Sequence, residues 1–197
     1  MVSPMKKFLL FTICVVMAMA FAAPSHAQRL IPRQHGIEVV GSLPIIKGEK
    51  LFAKENFGIG VSLTRYLERA NYVFVGIEYE QQNLTYRSYN IPMRDVLLQM
   101  GYIHPILSDR GKNVFLYGGI SALGGYEELN EDKKLLPDGA TLLDRSRFIY
   151  GGAIHTSVEL FLTDNILFVL KAQGRLLFGS DVHHFRPALS AGFRFNF

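Results

Sequence analysis

The sequence predicts an eight-stranded antiparallel β-barrel of the outer-membrane type, preceded by a cleaved signal peptide. Three observations lead to this prediction. The amino terminus is organised like an export signal, the body is a series of segments with alternating residue types, and the chain ends on Phe197, which continues the last alternation. Side chains alternate between the two faces of a strand, so each segment has one apolar face and one polar or small face. In a membrane barrel the apolar faces meet lipid and the polar faces point inward.

The first 27 residues are typical of a signal peptide. Lys6 and Lys7 precede an apolar run over residues 8–22, which is short for a membrane span. Residues 25–27, Ser-His-Ala, have the small–x–small pattern of a cleavage site, so we expect the mature chain to begin at Gln28. The start could be Met1 or Met5, and an uncleaved anchor helix is the rival interpretation.

Cys14 is the only cysteine, and it lies inside this leader. Ile13 precedes it where a lipobox requires a small residue, which argues against a lipoprotein. A mature domain over residues 28–197 would therefore have no disulfide, thiolate metal ligand or cysteine nucleophile. Without the leader the net charge falls from +4 to +2 (19 basic minus 17 acidic residues). This small surplus, with no block of basic residues, does not indicate a nucleic-acid surface.

Eight segments of the mature chain alternate. In the first four, the apolar positions are Ile37, Val39 and Leu43 in Gly36–Leu43; Phe57, Ile59, Val61 and Leu63 in Phe57–Arg65; Val73, Val75, Ile77 and Tyr79 in Tyr72–Gln81; and Val96, Leu98, Met100, Tyr102 and Ile106 in Val96–Ile106. The first of these has the weakest pattern.

The last four segments alternate in the same way. Their apolar positions are Val114, Leu116, Ile120, Ala122 and Tyr126 in Val114–Tyr126; Tyr150, Ile154, Val158, Leu160 and Leu162 in Ile149–Leu162; Ile166, Phe168, Leu170, Ala172, Gly174, Leu176 and Phe178 in Ile166–Phe178; and Phe185, Pro187, Leu189, Ala191, Phe193, Phe195 and Phe197 in Phe185–Phe197.

Charge on the opposite faces distinguishes a membrane barrel from a soluble sandwich, which also alternates. These faces carry Glu38, Glu78, Glu80, Glu159, Lys171, Arg175, Arg186 and Arg194. A charged face is better placed inside a barrel whose bulky aliphatic side chains meet lipid. The segments also approach the length of a tilted membrane strand. Because only helices and closed barrels satisfy their backbone groups in hydrocarbon, an even number of strands is expected.

The inward charges nearly balance. Five acids, including Glu127 near the rim, oppose the four bases. An eight-stranded barrel leaves an interior that side chains fill, and buried charges are tolerated there when paired. We therefore expect a structural salt-bridge core, with a narrow pore or proton path as the alternative. A lumen filled in this way cannot pass a strand of nucleic acid.

Loop lengths alternate as in outer-membrane barrels. The turns at 67–71, 108–113 and 163–165 are short, whereas the connections 44–56, 82–95 and 127–148 are long and 179–183 is brief. Short periplasmic turns and longer external loops are the barrel pattern, which predicts periplasmic termini. Phe197 then lies at the periplasmic rim, where a terminal aromatic serves as the signal for the barrel assembly machinery.

Motifs for catalysis, cofactors or metals are weak. The pairs Gly118-Gly119, Gly124-Gly125 and Gly151-Gly152 lack the context of phosphate loops and suit close strand packing. His104, His155, His183 and His184 show no metal-ligand spacing. A spatially assembled Ser–His–Asp site stays open, but no nucleophile-elbow sequence is present. We assign no catalytic, cofactor-binding or metal residue.

A family resemblance extends from Gln28 to Phe197. The stretches QRLIPRQHGIEV, IPMRDVLLQMGY, GGYEELN, LLPDGATLLDRSRFIYGG and FRPALSAGFRFNF resemble the conjugative transposon protein TraO family of Bacteroides-type mobile elements. One departure is Arg33, which occupies a position where the family usually has glycine. The resemblance implies a part in a conjugative transfer apparatus, and it brings no catalytic residue to this chain.

These inferences together predict a non-enzymatic outer-membrane component that anchors or stabilises a transfer machine. Its expected partners are other transfer proteins and membrane lipid, with no direct nucleic-acid contact and no small-molecule substrate or cofactor. The expected contact surfaces are Gln28–His35, made basic by Arg29, Arg33 and His35, and the external loop Glu127–Arg147. The alternatives are a barrel enzyme, such as a lipid acyltransferase or protease, and a small passive pore.

Overall fold

A computed structural model describes residues 31–45, 56–86, 89–130, 146–180 and 184–197. The predicted signal peptide, residues 1–27, lies outside them and stays a prediction. The described residues form eight strands and one 3₁₀ turn, Glu68–Ala70. The strands are β1 His35–Pro44, β2 Phe57–Tyr66, β3 Tyr72–Tyr86, β4 Tyr89–Ser108, β5 Val114–Leu129, β6 Ser146–Phe161, β7 Ile166–Phe178 and β8 Phe185–Asn196. No helix in this described part could cross a membrane.

The eight strands form a closed antiparallel barrel. Each strand pairs with the next, and β8 pairs with β1. When the register partners are followed from His35 through each neighbouring strand in turn, the path returns to β1 at Ile45 and not at His35. There the backbone N–H of Ile45 donates to the carbonyl of Pro187 at 2.9 Å. This stagger of ten residues (45 minus 35) tilts the strands against the barrel axis. The predicted fold class is confirmed.

The two faces of the wall are inverted relative to a soluble protein. Leu63 and Ile120 point outward and are 55% and 65% exposed, whereas Glu159 and Arg194 are fully buried inside. Outward aromatic side chains collect near both ends of the wall. They are Phe57, Tyr79, Tyr126, Phe148, Tyr150, Phe178 and Phe185 near one end and Tyr102, Phe168, Phe193, Phe195 and Phe197 near the other. An apolar band between two aromatic girdles is the surface of a membrane-spanning barrel.

The β3–β4 connection differs from the expectation. We predicted a long loop over 82–95, but β3 continues to Tyr86 and β4 begins at Tyr89, with Gln82 paired to Met93. The predicted strands ended where their apolar faces ended. Backbone pairing does not need an apolar face once the hairpin leaves the hydrocarbon, so the ladder continues. The predicted loop 127–148 is also shorter, because Glu127 and Glu128 still pair with Arg147 and Ser146.

The last residue closes the barrel, as predicted. The N–H of Phe197 donates to the carbonyl of His35 at 2.9 Å, and the N–H of His35 donates to the carbonyl of Phe197 at 3.1 Å. The Phe197 ring also stacks on the rings of His35 and Phe195, with centroids 6.4 Å apart in both pairs. The start of β1 and the last residue, Phe197, thus lie at one end of the barrel, called here the terminal end; the other is the loop end.

Removing Phe197 is expected to reduce membrane insertion and the level of the folded protein. Deletion removes both backbone bonds to His35, and Phe197→Ser keeps those bonds but removes the exposed aromatic ring. Asn196→Ser is the matched control, because the Asn196 side chain is buried inside the wall. Insertion is measured by the heat-dependent shift in gel mobility of membrane fractions. Equal insertion of all three variants would show that the terminal ring is not an assembly signal.

Candidate functional site: the charged interior of the barrel

The terminal half of the interior is organised around Arg194. Its guanidinium donates to both oxygens of Glu159 at 2.8 and 2.9 Å and to Oε2 of Glu38 at 2.5 and 3.0 Å. The hydroxyl groups of Tyr66 and Tyr72 accept from it at 2.8 and 2.9 Å. Planar guanidinium groups suit such bidentate contacts, and these charge-assisted bonds compensate the loss of water around the buried charges.

Register explains part of this cluster. Glu38 and Arg194 are direct cross-strand partners on β1 and β8. Lys171 on β7 donates to the free oxygen of Glu38 at 2.5 Å, so Glu38 has two cationic partners. The cluster of two acids and two bases is therefore neutral when all four groups are ionised.

An aromatic plug lies beside this cluster at the terminal end. Tyr66, Tyr72 and Tyr117 are almost completely buried, and they pack with Phe115 and Phe161. The Tyr72 ring lies 5.4 Å from the rings of both Tyr66 and Tyr117, in edge-to-face geometry. These rings close the lumen below Arg194.

The loop half of the interior sets acids and bases on opposite walls. Glu80, Asp95 and Glu127 are successive register partners on β3, β4 and β5, whereas Arg175 and Arg186 are partners on β7 and β8. Like charges side by side on a sheet repel each other. The two rows instead pair across the lumen, where each guanidinium reaches carboxylates on the facing wall.

Arg186 makes the better-aligned of these contacts. It donates to Asp95 Oδ2 at 2.8 Å, to Glu127 Oε2 at 2.5 Å and to the Ser180 hydroxyl at 2.7 Å. Ser180 in turn donates to both oxygens of Glu127 at 2.8 and 3.0 Å. Glu127 thus binds one cation and one hydroxyl group.

Arg175 is held mainly by charge. Its Nη1 lies 2.6 Å from Oε2 of Glu80 and its Nη2 lies 3.5 Å from Oε1 of Glu78, but neither contact has hydrogen-bond angles. Neutral side chains donate further hydrogen bonds to these two carboxylates. Ser42 and Gln99 donate to Glu78 at 2.8 and 2.5 Å, and Gln82 donates to Glu80.

The predicted interior charges all lie inside the barrel, and one acid was missed. All five predicted acids are buried, as are Arg175, Arg186 and Arg194, and the Lys171 side chain is 9% exposed. Asp95 is the addition, because we placed it at the end of a loop. Its position next to the outward-facing Val96 is the signal that could have identified it, since neighbouring side chains in a strand point to opposite faces.

Among the described residues, the lumen beside the Arg194 cluster is nearly filled. A cavity of about 20 Å³ lies between Glu38, Gln99 and Lys171. This is room for about one water molecule. The expectation of a filled, salt-bridged interior is confirmed for the described residues, and the geometry favours a solid core over a conduit.

A buried serine–histidine pair also lies inside the barrel. Ser121 Oγ and His155 Nε2 are 2.6 Å apart, and both side chains are less than 10% exposed. The third member of a triad is lacking, because His155 Nδ1 has no hydrogen-bond partner among the described residues. The ring packs edge-on against Phe74 at 5.6 Å. A buried pair of this kind cannot receive a substrate, so it contributes to core packing.

The remaining sequence motifs have structural roles or stay untested. A Cβ atom at Gly125 or Gly151 would overlap the carbonyl oxygens of Val96 and Leu176, so these glycines permit close strand approach. His184 packs against Phe178 at 6.1 Å, and His183 lies outside the described residues. No group of metal ligands occurs among the residues that the structure describes.

A groove of about 340 Å³ opens at the terminal mouth. It lies between Pro32, the β2–β3 turn and the β4–β5 turn, with Phe115 at its base. Its apolar lining includes Leu67 and Leu107, and its basic lining consists of Arg69 and Lys112. No acidic side chain is among the described lining residues. We call this feature the terminal groove.

Backbone geometry shapes the terminal groove. Asp109 caps the β4–β5 turn by accepting from the backbone N–H groups of Gly111, Asn113 and Val114 at 2.6 to 3.1 Å. The segment leading into β1 is tied to β2, where the N–H of Arg33 donates to the carbonyl of Tyr66 at 2.9 Å. Arg33 has a φ of 73°, which explains why glycine suits this position.

Comparison with known families agrees with this architecture. The model of the conjugative transposon protein TraO family matches residues 31–197. The chain belongs to the TraO family. The match extends over the whole described barrel, and the earlier resemblance is confirmed. No curated protein sequence matches this TraO-family chain.

Solved structures show the same barrel in distantly related sequences. The attachment invasion locus protein Ail of Yersinia pestis has a TM-score of 0.52 at 13% identity, with 85% of this chain and 100% of Ail covered. Ail in complex with the heparin analogue sucrose octasulfate gives 0.52 at 14% identity with the same coverage. Neisserial surface protein A gives 0.52 at 15% identity, covering 83% of this chain and 96% of its own. These similarities establish the fold of the TraO-family protein and do not extend to its activity.

Proposed function

We propose that this TraO-family protein is a non-enzymatic outer-membrane anchor of a conjugative DNA-transfer apparatus. The single observation that carries the proposal is the family membership over residues 31–197, read together with a barrel that has lipid-facing walls and a solid interior. The terminal end faces the periplasm in this proposal, and the loop end faces the outside.

The interior supports an anchoring role over a conducting one. Arg194 and the tyrosines occupy the terminal half, and the paired rows of acids and bases occupy the loop half. DNA cannot pass between them. A rigid barrel that is fixed in the membrane instead offers its two ends as docking surfaces for other transfer proteins.

The terminal groove is the better-defined docking surface. Its apolar floor is edged by Arg69 and Lys112, and Arg33 is adjacent to its lining residue Pro32. This combination suits a segment of a periplasmic transfer protein that carries apolar anchors and acidic neighbours. The predicted Gln28–His35 contact segment contributes Pro32, whereas residues 28–30 and most of the predicted Glu127–Arg147 loop lie outside the described residues.

Charge reversal in the terminal groove tests the proposal. The double variant Arg69→Glu/Lys112→Glu should lower conjugation frequency and crosslinking to other transfer proteins by about tenfold or more, since two charge contacts are reversed. Crosslinked complexes are purified from donor outer membranes and identified by mass spectrometry. Arg110→Glu is the matched control, because Arg110 lies in the same β4–β5 turn but does not line the groove.

Two results would contradict different parts of the proposal. Normal transfer by a strain that lacks the protein would exclude a role in conjugation. Normal crosslinking by the double variant, with transfer still dependent on the protein, would exclude the terminal groove as the docking surface.

A further inference from the structure

The membrane-facing wall contains a groove that ends at a basic rim. It has a volume of about 860 Å³ and is lined by residues of β1 to β6 on the outer surface. Ala122 faces outward with a small side chain, which leaves a depression beside the bulkier Met100 and Ile120. We call it the wall groove.

Two rows of register partners border the wall groove. One row runs through Leu63, Val75, Met100 and Ala122, and the other through His35, Arg65, Val73, Tyr102 and Ile120. Each row is perpendicular to the strands. Because the strands are tilted, a perpendicular row climbs the wall instead of circling it at one level.

The row from His35 to Ile120 rises from the terminal end toward the middle of the wall. His35 is the first residue of β1 and Arg65 is the penultimate residue of β2, whereas Ile120 lies six residues inside β5. Four strand spacings of about 4.8 Å make a path of about 19 Å, which a tilt of about 40° converts into a climb of about 12 Å. Half of a hydrocarbon core of about 30 Å is about 15 Å, so the wall groove extends through most of one leaflet.

Charge is confined to the rim end of the wall groove. The His35 and Arg65 side chains are exposed there, and no acidic residue is among the described residues that line it. The rest of the lining is almost wholly apolar, with Leu63, Val75, Met100 and Ile120 exposed on its walls. A headgroup at the rim and an acyl chain along the wall would match this distribution.

A second depression of the wall provides a contrast. It has a volume of about 430 Å³ and is lined by small and aliphatic residues that include Gly41, Leu170, Ala172 and Ala191. The lysine among its described lining residues, Lys171, directs its ammonium group inward to Glu38. This depression therefore offers bulk lipid an apolar surface without a cation for a headgroup.

We propose that the wall groove is a specific site for an anionic phospholipid of the leaflet at the terminal end. The guanidinium of Arg65 binds the lipid phosphate in charge-assisted hydrogen bonds, and the imidazole of His35 supplies a further donor. One acyl chain lies in the groove, where Ala122 leaves room for it. The occupant is a lipid because the fold places this face in the bilayer.

Lipid retention measured by native mass spectrometry tests the site. Purified protein is equilibrated in detergent with 1-palmitoyl-2-oleoyl-phosphatidylglycerol or with the phosphatidylcholine of the same chains. We expect one phosphatidylglycerol per barrel, bound about tenfold more tightly than phosphatidylcholine, because both carry the phosphate but the cationic choline of phosphatidylcholine offsets its attraction to Arg65. Arg65→Gln and Ala122→Phe should each weaken its retention about tenfold, because one removes the cation and the other fills the groove.

Matched variants distinguish loss of the lipid site from general effects of removing a surface cation or adding a ring to the wall. Arg69→Gln removes an exposed cation at the same end but outside the wall groove, and Ala191→Phe adds a ring to the second depression; both should retain phosphatidylglycerol as the wild type does. Arg65→Lys should keep most of the retention because it preserves the charge. All variants face solvent or lipid, and their folding is checked by heat-dependent gel mobility.

Three outcomes would overturn the proposal. Equal retention of the two lipids shows that the wall groove does not select an anionic headgroup. Unchanged phosphatidylglycerol retention in Arg65→Gln and Ala122→Phe shows that the lipid binds elsewhere. If those two variants instead lose a crosslink to another membrane protein, the occupant is a protein segment.

Discussion

Replacing Arg194 by methionine is expected to lower the free energy of unfolding by about 3–5 kcal/mol, the cost typical of breaking a buried ion pair. Methionine keeps much of the volume but leaves Glu159 without its bidentate partner and removes one of the two cations at Glu38. Tyr66 and Tyr72 also lose a donor to their hydroxyl groups. Uncompensated charge inside the barrel, rather than lost packing, causes most of the effect.

Urea unfolding in phospholipid vesicles measures this effect. Arg110→Met is the control, because Arg110 is exposed in a turn and its loss should change the free energy by less than about 0.5 kcal/mol. Adding Glu159→Gln to Arg194→Met should recover part of the loss, since Glu38 keeps Lys171 at 2.5 Å. A single variant as stable as the wild type would mean that the Arg194 cluster does not hold the terminal half together.

Leu170→Arg is expected to destabilise the barrel by about 2–4 kcal/mol, the range for a basic residue that faces lipid near the midplane. Leu170 points outward from the middle of β7 and is 44% exposed, with Val158 and Ala191 as its register partners. The bilayer cannot hydrate the guanidinium there. The cost is smaller than for Arg194 because a long side chain can reach toward the headgroups.

The adjacent Lys171 provides the opposite test on the same strand. Its side chain points inward to Glu38, so Lys171→Arg should be mild, whereas Lys171→Glu would place a second carboxylate against Glu38 and should destabilise strongly. Unfolding free energies are compared in the same lipid. A silent Leu170→Arg together with an unfolded Lys171→Arg would mean that the two faces of the wall had been assigned the wrong way round.

The faces of the wall could be read from the sequence because they depend on a local property. A strand places neighbouring side chains on opposite sides, so the parity of Glu38, Lys171 and Arg194 among apolar neighbours was sufficient to place them inside. The same reasoning identified the closing role of Phe197, since alternation continued to the end of the chain. Charge on one face and bulky aliphatic residues on the other then indicated which face meets lipid.

Pairing inside the barrel could not be read in the same way. Arg194 bonds to Glu38 and Glu159, which lie 156 and 35 residues away in sequence, and Arg186 reaches across the lumen to Asp95. Parity says only that these side chains point inward. Which of them meet depends on the register of every ladder between them.

Closure of the barrel determines which inward side chains meet, which parity alone does not. The stagger of ten residues places the acids of β3, β4 and β5 opposite Arg175 and Arg186, and it raises the row from His35 to Ile120 along the wall to form the wall groove. The position of Asp95 within the β3–β4 hairpin likewise depends on backbone pairing that continues past the apolar band, which the residue pattern does not show. The sequence alone therefore determined what each face carries, whereas the tertiary structure decided which groups meet, because closing the sheet sets every strand's height against all the others.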